Sequence, residues 1–247
     1  MTGAGSVDIR RSGGTAVLTL RREAKLNALS THLERELLRA LDDKAVTTAR
    51  AVVLTGGDKV FSAGADTGEL REMTPEAIAA YYRDSGAVYE KVAALAQPTV
   101  AAIAGYCLGG GLELALAADF RIADATATFG LPEVAIGILP SSGGTYRTTR
   151  IVGPARAREL VLRGRRLTAG EALGWGLLTE VTDDGAHLKT ALRLAAELAA
   201  LPPLALAVTK RVIDVAADSP REASLLLEQL AYASLNQATH PPNEDPR

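Results

Sequence analysis

Cysteine and histidine are scarce in this sequence. Its 247 residues include a single cysteine, Cys107, and three widely separated histidines, His32, His187 and His240. One cysteine cannot form an internal disulfide, and no Cys-x-x-Cys or His-x-x-x-His spacing is present to bind a transition metal. We therefore expect Cys107 to be a packed core thiol, the histidines to lie at the surface, and the protein to hold no metal.

The sequence also lacks the motifs of several large enzyme classes. It has no Gly-x-Ser-x-Gly nucleophile elbow, no Gly-x-Gly-x-x-Gly after a strand, and no Gly-Lys-Ser/Thr phosphate loop. These absences argue against a Ser-His-Asp hydrolase and against nicotinamide or nucleoside-triphosphate chemistry. The net charge of -2 and the scattered basic pairs do not suggest a nucleic-acid partner.

No apolar run is long and unbroken enough to predict a membrane span. The most apolar stretch, residues 99–120, contains Glu113 and is interrupted by three consecutive glycines at 109–111. The first residues show no apolar stretch of the kind found in signal peptides. We expect a cytoplasmic protein with no membrane partner.

Short strands alternate with helices over the first two thirds of the chain, which predicts an α/β fold. Residues 7–11 and 15–20 read as a β-hairpin, and residues 51–55 and 99–104 as buried strands. Ser30 is a predicted N-cap, and Thr74 followed by Pro75 predicts the start of another helix.

Beyond residue 185 only helical spacing of apolar residues is found. We therefore divide the chain into a core with the active site, residues 1–185, and a smaller helical region, residues 186–247. The helical region is expected to pack on the core or on a neighbouring subunit.

Two glycine-rich turns follow buried strands and lack the polar side chains of an ordinary surface loop. They are residues 61–66 and residues 105–113. Small residues let a ligand approach the main chain, and a helix that begins at Gly110 would direct its free N–H groups at that ligand. Each turn taken singly is equally consistent with tight packing, whereas two together suggest an oxyanion hole.

Two glutamates stand in apolar surroundings near these turns. Glu113 lies in an apolar predicted helix, and Glu133 follows the segment FGLP and precedes another apolar run. A carboxyl group in such a setting has a raised pKa, which suits it to transfer protons near neutral pH. Structural salt bridges are the alternative interpretation.

Four segments taken together closely resemble the crotonase, or enoyl-CoA hydratase/isomerase, superfamily. They are FSAGAD at residues 61–66, GYCLGGGLEL at 105–114, FGLPE at 129–133 and PSSGGTYRTTR at 140–150. The resemblance implies a spiral of repeated β-β-α units, a C-terminal helical region used in trimer contacts, and a homotrimer or a hexamer of two trimers.

The resemblance also implies roles for individual residues. The amides of Ala65 and Gly110 match the oxyanion-hole positions, and Glu113 and Glu133 match the two acid/base glutamates of hydratases. The further substrate- or coenzyme A-binding positions that it implies are Ala24, Lys25, Ala63, Asp66 and Ser141.

The resemblance implies coenzyme A as part of an acyl-CoA substrate and no permanently bound cofactor. Arg21 and Glu23 replace the usual Asn and Pro of the coenzyme loop at residues 20–29, and Ser141 replaces a usual glycine beside the expected water. Three functions follow as hypotheses: a 2-enoyl-CoA hydratase in fatty-acid or related acyl-CoA metabolism, a double-bond isomerase that uses Glu133 alone, or a non-catalytic acyl-CoA-binding protein.

Overall fold

The computed structural model describes residues 3–239, apart from the side chains of residues 79, 82–85 and 239. The predicted surface position of His240 therefore lies outside the described residues. The strands are β1 (Ser6–Ser12), β2 (Thr15–Arg21), β3 (Ala51–Thr55), β4 (Thr99–Ile103), β5 (Tyr106–Leu108), β6 (Phe120–Asp124), β7 (Thr128–Gly130), β8 (Leu167–Thr168) and β9 (Glu180–Thr182). The helices are α1 (Thr31–Asp42), α2 (Lys44–Thr47), α3 (Thr67–Glu72), α4 (Pro75–Ala93), α5 (Gly110–Ala117), α6 (Gly144–Val161), α7 (Ala169–Gly174), α8 (His187–Ala199), α9 (Pro203–Ala216) and α10 (Arg221–Thr239).

The larger sheet has six strands in the order β1-β2-β3-β4-β6-β9. The predicted hairpin of β1 and β2 is confirmed as antiparallel, and the other neighbours are parallel. Every residue of β3 and β4 is buried, as expected for parallel strands that are covered on both faces. The two predicted N-caps are also confirmed, since Ser30 accepts from Leu33 N and Thr74 accepts from Ala77 N.

Alternate residues of β2, β3 and β4 belong to two separate apolar cores. On one face, Leu18, Leu54 and Ile103 join the main core with α1 and α5. On the other face, Val53 and Val100 pack with residues of α8. α8, which belongs to the predicted helical region 186–247, therefore packs directly on the sheet.

His187 does not lie at the surface, and the expectation for this histidine was wrong. It is the first residue of α8 and is fully buried, with Nδ1 3.0 Å from Oδ2 of Asp124 at the end of β6. The same Asp124 oxygen accepts from Gly185 N at 3.1 Å. Nε2 of His187 also lies 3.3 Å from the carbonyl oxygen of Gly57, so polar groups face the buried ring on both sides.

The smaller sheet has three strands in the order β5-β7-β8. The chain passes twice from the larger sheet to the smaller one, from β4 into β5 and from β6 into β7, and each pair of equivalent strands is parallel. This repeated path is the predicted spiral. Cys107 in β5 is buried, as predicted, and burial raises the pKa of its thiol.

The last two helices, α9 and α10, pack on each other. Among the described residues, no single helix is both long and apolar enough to cross a membrane. Only α8 and α9 taken together satisfy such a criterion, and they are bent by 107° at the break between them.

Candidate active site

The two glycine-rich turns are bonded to each other through Ser62. Its N–H donates to the carbonyl oxygen of Tyr106 at 2.9 Å, and its carbonyl oxygen accepts from Leu108 N at 3.0 Å. The Ser62 hydroxyl donates to the carbonyl oxygen of Asn27 and accepts from Gly64 N. A short parallel bridge of this kind fixes the distance between the turns.

Glycine is required where the turns touch. Gly64 has a φ of +101°, and a Cβ at this position would lie 2.9 Å from the carbonyl oxygen of Leu108. At Gly111 a Cβ would lie 2.6 Å from the carbonyl oxygen of Ser62. Both contacts are shorter than van der Waals distance, so larger residues would force the turns apart.

The backbone amides of Ala65 and Gly110 lie on facing sides of this contact. A Cβ built on Gly110 would be 3.6 Å from the backbone nitrogen of Ala65. Gly110 is the first residue of α5, so its N–H has no partner within the helix. Leu29 and Ala65 form a parallel β-bridge in which Leu29 N donates to the carbonyl oxygen of Gly64 and Asp66 N donates to that of Leu29. The N–H of Ala65 itself takes no part in this bridge. The structure thus brings together the two backbone amides that match the oxyanion-hole positions.

Glu113 stands in the first turn of α5 and is buried. Its Oε1 accepts hydrogen bonds from Ser142 N at 2.7 Å and from Gly144 N at 2.9 Å. Burial raises the pKa of this carboxyl group, although the two amides and Arg147 act in the opposite direction. One oxygen is therefore held rigidly, and the protonation of the group is sensitive to its surroundings.

Glu133 opens a short 3-10 helix, Glu133–Ile136, and faces the first turn of α5 from the other side. Its Oε1 lies 3.1 Å from the position that a Cβ on Gly109 would take. Its Oε2 is buried without a hydrogen-bond partner. Burial raises the pKa of Glu133 to about 7, and the nearby charge of Glu113 acts in the same direction. A carboxyl group of this kind gives and accepts protons near neutral pH.

A cavity of about 240 Å³ joins the turns and the two carboxyl groups. The predicted site residues that line it are Ala63, Ala65, Gly110, Glu113, Glu133 and Ser141. Within residues 3–239, His, Cys, Asp and Glu do not form a group of three or more that could hold a metal ion.

Three predicted binding residues lie away from this cavity. Ala24 and Lys25 belong to an exposed 3-10 helix, Glu23–Lys25, and do not line it. The side chain of Asp66 caps α3 and forms an ion pair with Arg22 at 2.8 Å. Arg22, a cation of the expected coenzyme loop at residues 20–29, is mostly buried in this pair. Its sequence position gave no sign of that internal partner.

Sequence reasoning missed the buried carboxyl group of Glu34 and two tyrosines that line the cavity, Tyr81 and Tyr89. Oε1 of Glu34 accepts from the hydroxyl groups of both tyrosines. Burial raises the pKa of Glu34 to about 7. A signal was present, because Glu34 lies three and seven positions before Leu37 and Leu41 and so shares the buried face of α1.

Comparison with known proteins gives a consistent set of relatives. Residues 10–241 match the family described as enoyl-CoA hydratase/isomerase. The chain is 37% identical to a probable enoyl-CoA hydratase of Mycobacterium tuberculosis, over 92% of this chain and 88% of the relative. It is also 37% identical to the 2,3-dehydroadipyl-CoA hydratase of Escherichia coli, over 92% and 89% of the two chains. The crystal structure of an enoyl-CoA hydratase from Bacillus anthracis superposes with a TM-score of 0.87 at 35% identity, covering 92% of this chain and 90% of that one.

Proposed function

Since the chain belongs to the enoyl-CoA hydratase/isomerase family, we propose that it is an enoyl-CoA hydratase that adds water to 2-enoyl-CoA thioesters and gives 3-hydroxyacyl-CoA. One observation carries this proposal: two neighbouring backbone amides, the buried carboxyl group of Glu113 and the half-buried carboxyl group of Glu133 line the same cavity. Run in reverse, the same site would dehydrate a 3-hydroxyacyl-CoA.

The proposed role of the amides of Ala65 and Gly110 is to bind the thioester oxygen. Polarising that carbonyl makes C3 of the enoyl group electrophilic and stabilises the enolate that forms when water adds. Donors fixed before the reaction stabilise the developing charge without reorganisation, and one such donor typically contributes about 10²- to 10³-fold in rate. The bridge through Ser62 is what fixes them.

The proposed roles of the two glutamates follow from their different surroundings. Glu113, with one oxygen held by two amides, would orient the water and take its proton. Glu133, with a pKa of about 7, would supply a proton to C2. The proton count balances, since one proton leaves the water as another reaches C2.

Double-bond isomerisation is the second candidate reaction, because Glu133 alone could carry a proton from one carbon to another. Glu113 in the same cavity favours hydration, since a one-glutamate shuttle does not need it. A non-catalytic acyl-CoA-binding protein would need neither carboxyl group.

Turnover of crotonyl-CoA tests the proposed function. We expect the absorbance of the conjugated enoyl group to fall as water adds, and the 3-hydroxyacyl-CoA product to accumulate. Formation of 2-enoyl-CoA from a 3-enoyl-CoA substrate would indicate isomerase activity. Tight binding of acyl-CoA without turnover of 2-enoyl substrates of several lengths would contradict the proposal and favour the binding protein.

The pH dependence of hydration should be bell-shaped. Hydration needs Glu113 ionised and Glu133 protonated, so the rate falls at low pH as Glu113 takes up a proton. It also falls as the pH rises through about 7, the pKa of Glu133, because the proton donor is lost. kcat/KM for crotonyl-CoA, measured from about pH 5 to about pH 9, reports both limbs. An alkaline limb that persists in the Glu133→Gln variant would assign it to another group.

The substrate brings coenzyme A, and the site needs neither a metal nor a permanently bound cofactor. We place the protein in the cytoplasm, in fatty-acid or related acyl-CoA metabolism, as a homotrimer or a hexamer of two trimers. Large exposed apolar side chains on α9 and α10 support subunit contacts there. They are Leu204, Ile213, Leu225, Leu226, Leu230 and Tyr232.

A further inference from the structure

Glu34 is a buried acid that the proposed hydration mechanism does not use. It belongs to α1, which packs against α4, and it is 3% exposed. Its Oε1 lies 3.3 Å from the hydroxyl oxygen of Tyr81 and 3.2 Å from that of Tyr89, both on α4. Its Oε2 is buried without a hydrogen-bond partner. Burying a carboxyl group in this way costs stability, so the position calls for an explanation.

The two tyrosines link this acid to the acyl cavity. Both line the cavity that holds Glu113 and Glu133. Tyr81, together with Glu34, also lines a second cavity of about 360 Å³ between α1 and α4. Glu34 and Tyr81 therefore form part of the partition between the two spaces.

Tyr89 is the tyrosine that lies beside Gly110, one of the two proposed oxyanion-hole residues. A Cβ built on Gly110 would lie 3.0 Å from its hydroxyl oxygen. Several other walls of the cavity are apolar, among them Leu70, Ile136 and Leu139. A fixed hydroxyl group in this cavity gives a ligand a directional hydrogen-bonding partner, in addition to the side chains of Glu113 and Glu133.

The orientation of this hydroxyl group follows from its partner. Because the Tyr89 O–H donates to Oε1 of Glu34, its lone pairs remain available on the other side. A group that the cavity admits beside Tyr89 can therefore donate a hydrogen bond to the tyrosine oxygen. Carboxylates lack a proton to donate, and they would also meet the charge of neighbouring glutamates.

We infer that Tyr89, positioned by Glu34, is a specificity-determining residue that selects 2-enoyl-CoA substrates with a hydroxyl group on the acyl chain. The inference rests on the proposed function, because it names the substrate class of that same site. Tyr81 shares the acid with Tyr89 and helps to hold it in place.

The test compares chains of equal size that differ in one group. A 2-enoyl-CoA that ends in a hydroxyl group is compared with the chain that has a methyl group in its place, at two or three chain lengths. A chain that ends in a carboxylate is the third substrate. We expect kcat/KM to be higher for the hydroxylated chain of at least one pair by roughly three- to tenfold, the effect of one hydrogen bond, and lowest for the carboxylate.

Variants assign the preference to its residues. Tyr89→Phe should bring the hydroxyl-to-methyl ratio to about one. Glu34→Leu should lower the same ratio, and Glu34→Gln should restore most of it, because an amide oxygen can still accept from Tyr89. A variant that is only less well folded would turn over the hydroxyl-ended and methyl-ended substrates more slowly by the same factor, so their ratio would not change. A ratio near one in the unaltered protein at every length, or one unaffected by Tyr89→Phe, would overturn the inference.

Binding separates failure of this inference from failure of the proposed function. If none of the 2-enoyl-CoA esters is hydrated, the proposed hydratase function fails. The subsite is then measured as the dissociation constants of the saturated hydroxylated and methyl-ended acyl-CoA esters. Tighter binding of the hydroxylated ester that is lost in Tyr89→Phe supports the subsite, and equal binding of the two esters overturns it.

Discussion

Glu113→Gln is expected to lower the rate of crotonyl-CoA hydration by about 10²- to 10⁴-fold, the range for removing a general base. The amide oxygen can still accept from Ser142 N and Gly144 N, which now bond to Oε1 of the acid. The segment around residue 142 should therefore keep its place, and the loss should appear in kcat. The measurement is steady-state hydration, followed by the absorbance of the conjugated enoyl group.

The controls for this variant separate chemistry from folding. Glu222→Gln, at an exposed position in the first turn of α10, should hydrate crotonyl-CoA at the unaltered rate. Glu113→Gln should have a thermal midpoint close to that of the unaltered protein and should keep any activity on 3-enoyl-CoA. Full hydration activity in Glu113→Gln would show that another group takes the proton from water.

Glu133→Gln is expected to lower the hydration rate as strongly as Glu113→Gln, but to affect activity on 3-enoyl-CoA as well. Removing the proposed proton donor should lower hydration by about 10²- to 10⁴-fold, and it should also remove any double-bond isomerisation, because the proposed shuttle uses Glu133 alone. Oε2 of Glu133 has no hydrogen-bond partner, so replacing that oxygen by an amide group breaks no hydrogen bond. Both activities are measured on the same preparation, with 2-enoyl and 3-enoyl substrates.

The double variant Glu113→Gln, Glu133→Gln tests whether the two groups act as a unit. Residues that serve one transition state are strongly non-additive, so the double variant should be little slower than the slower single variant. Losses that simply multiply would indicate two independent steps. Isomerisation that survives in Glu133→Gln would refute the proposed shuttle.

Local patterns in the sequence predicted much of the fold. The cap and proline at Thr74 and Pro75 gave the start of α4, and the unbroken apolar run at residues 51–55 gave β3. The start of α5 at Gly110 was predicted because a glycine turn led directly into an apolar helix. These signals lie within a few residues of the feature that they determine, so a single sequence suffices to read them.

Features that depend on distant partners could not be predicted in this way. Arg22 is paired with Asp66, 44 positions further along the chain, and nothing next to Arg22 indicates that it is unavailable to a phosphate. His187, at the start of α8, is buried beside Asp124 at the end of β6, 63 positions earlier in the chain. The hydrogen bonds of Glu34 to α4 likewise arise only when the two helices pack.

The two amide bonds that hold Glu113 have a consequence for engineering this enzyme. They come from Ser142 and Gly144, whereas the adjustable apolar wall, Ile136 to Leu139, lies before them in the chain and is largely exposed. Remodelling that wall leaves the anchor of the base in place. Substitutions at Leu139 are therefore expected to change which acyl chains fit while the hydrogen bonds to Glu113 persist, whereas Ile136 shares its 3-10 helix with Glu133.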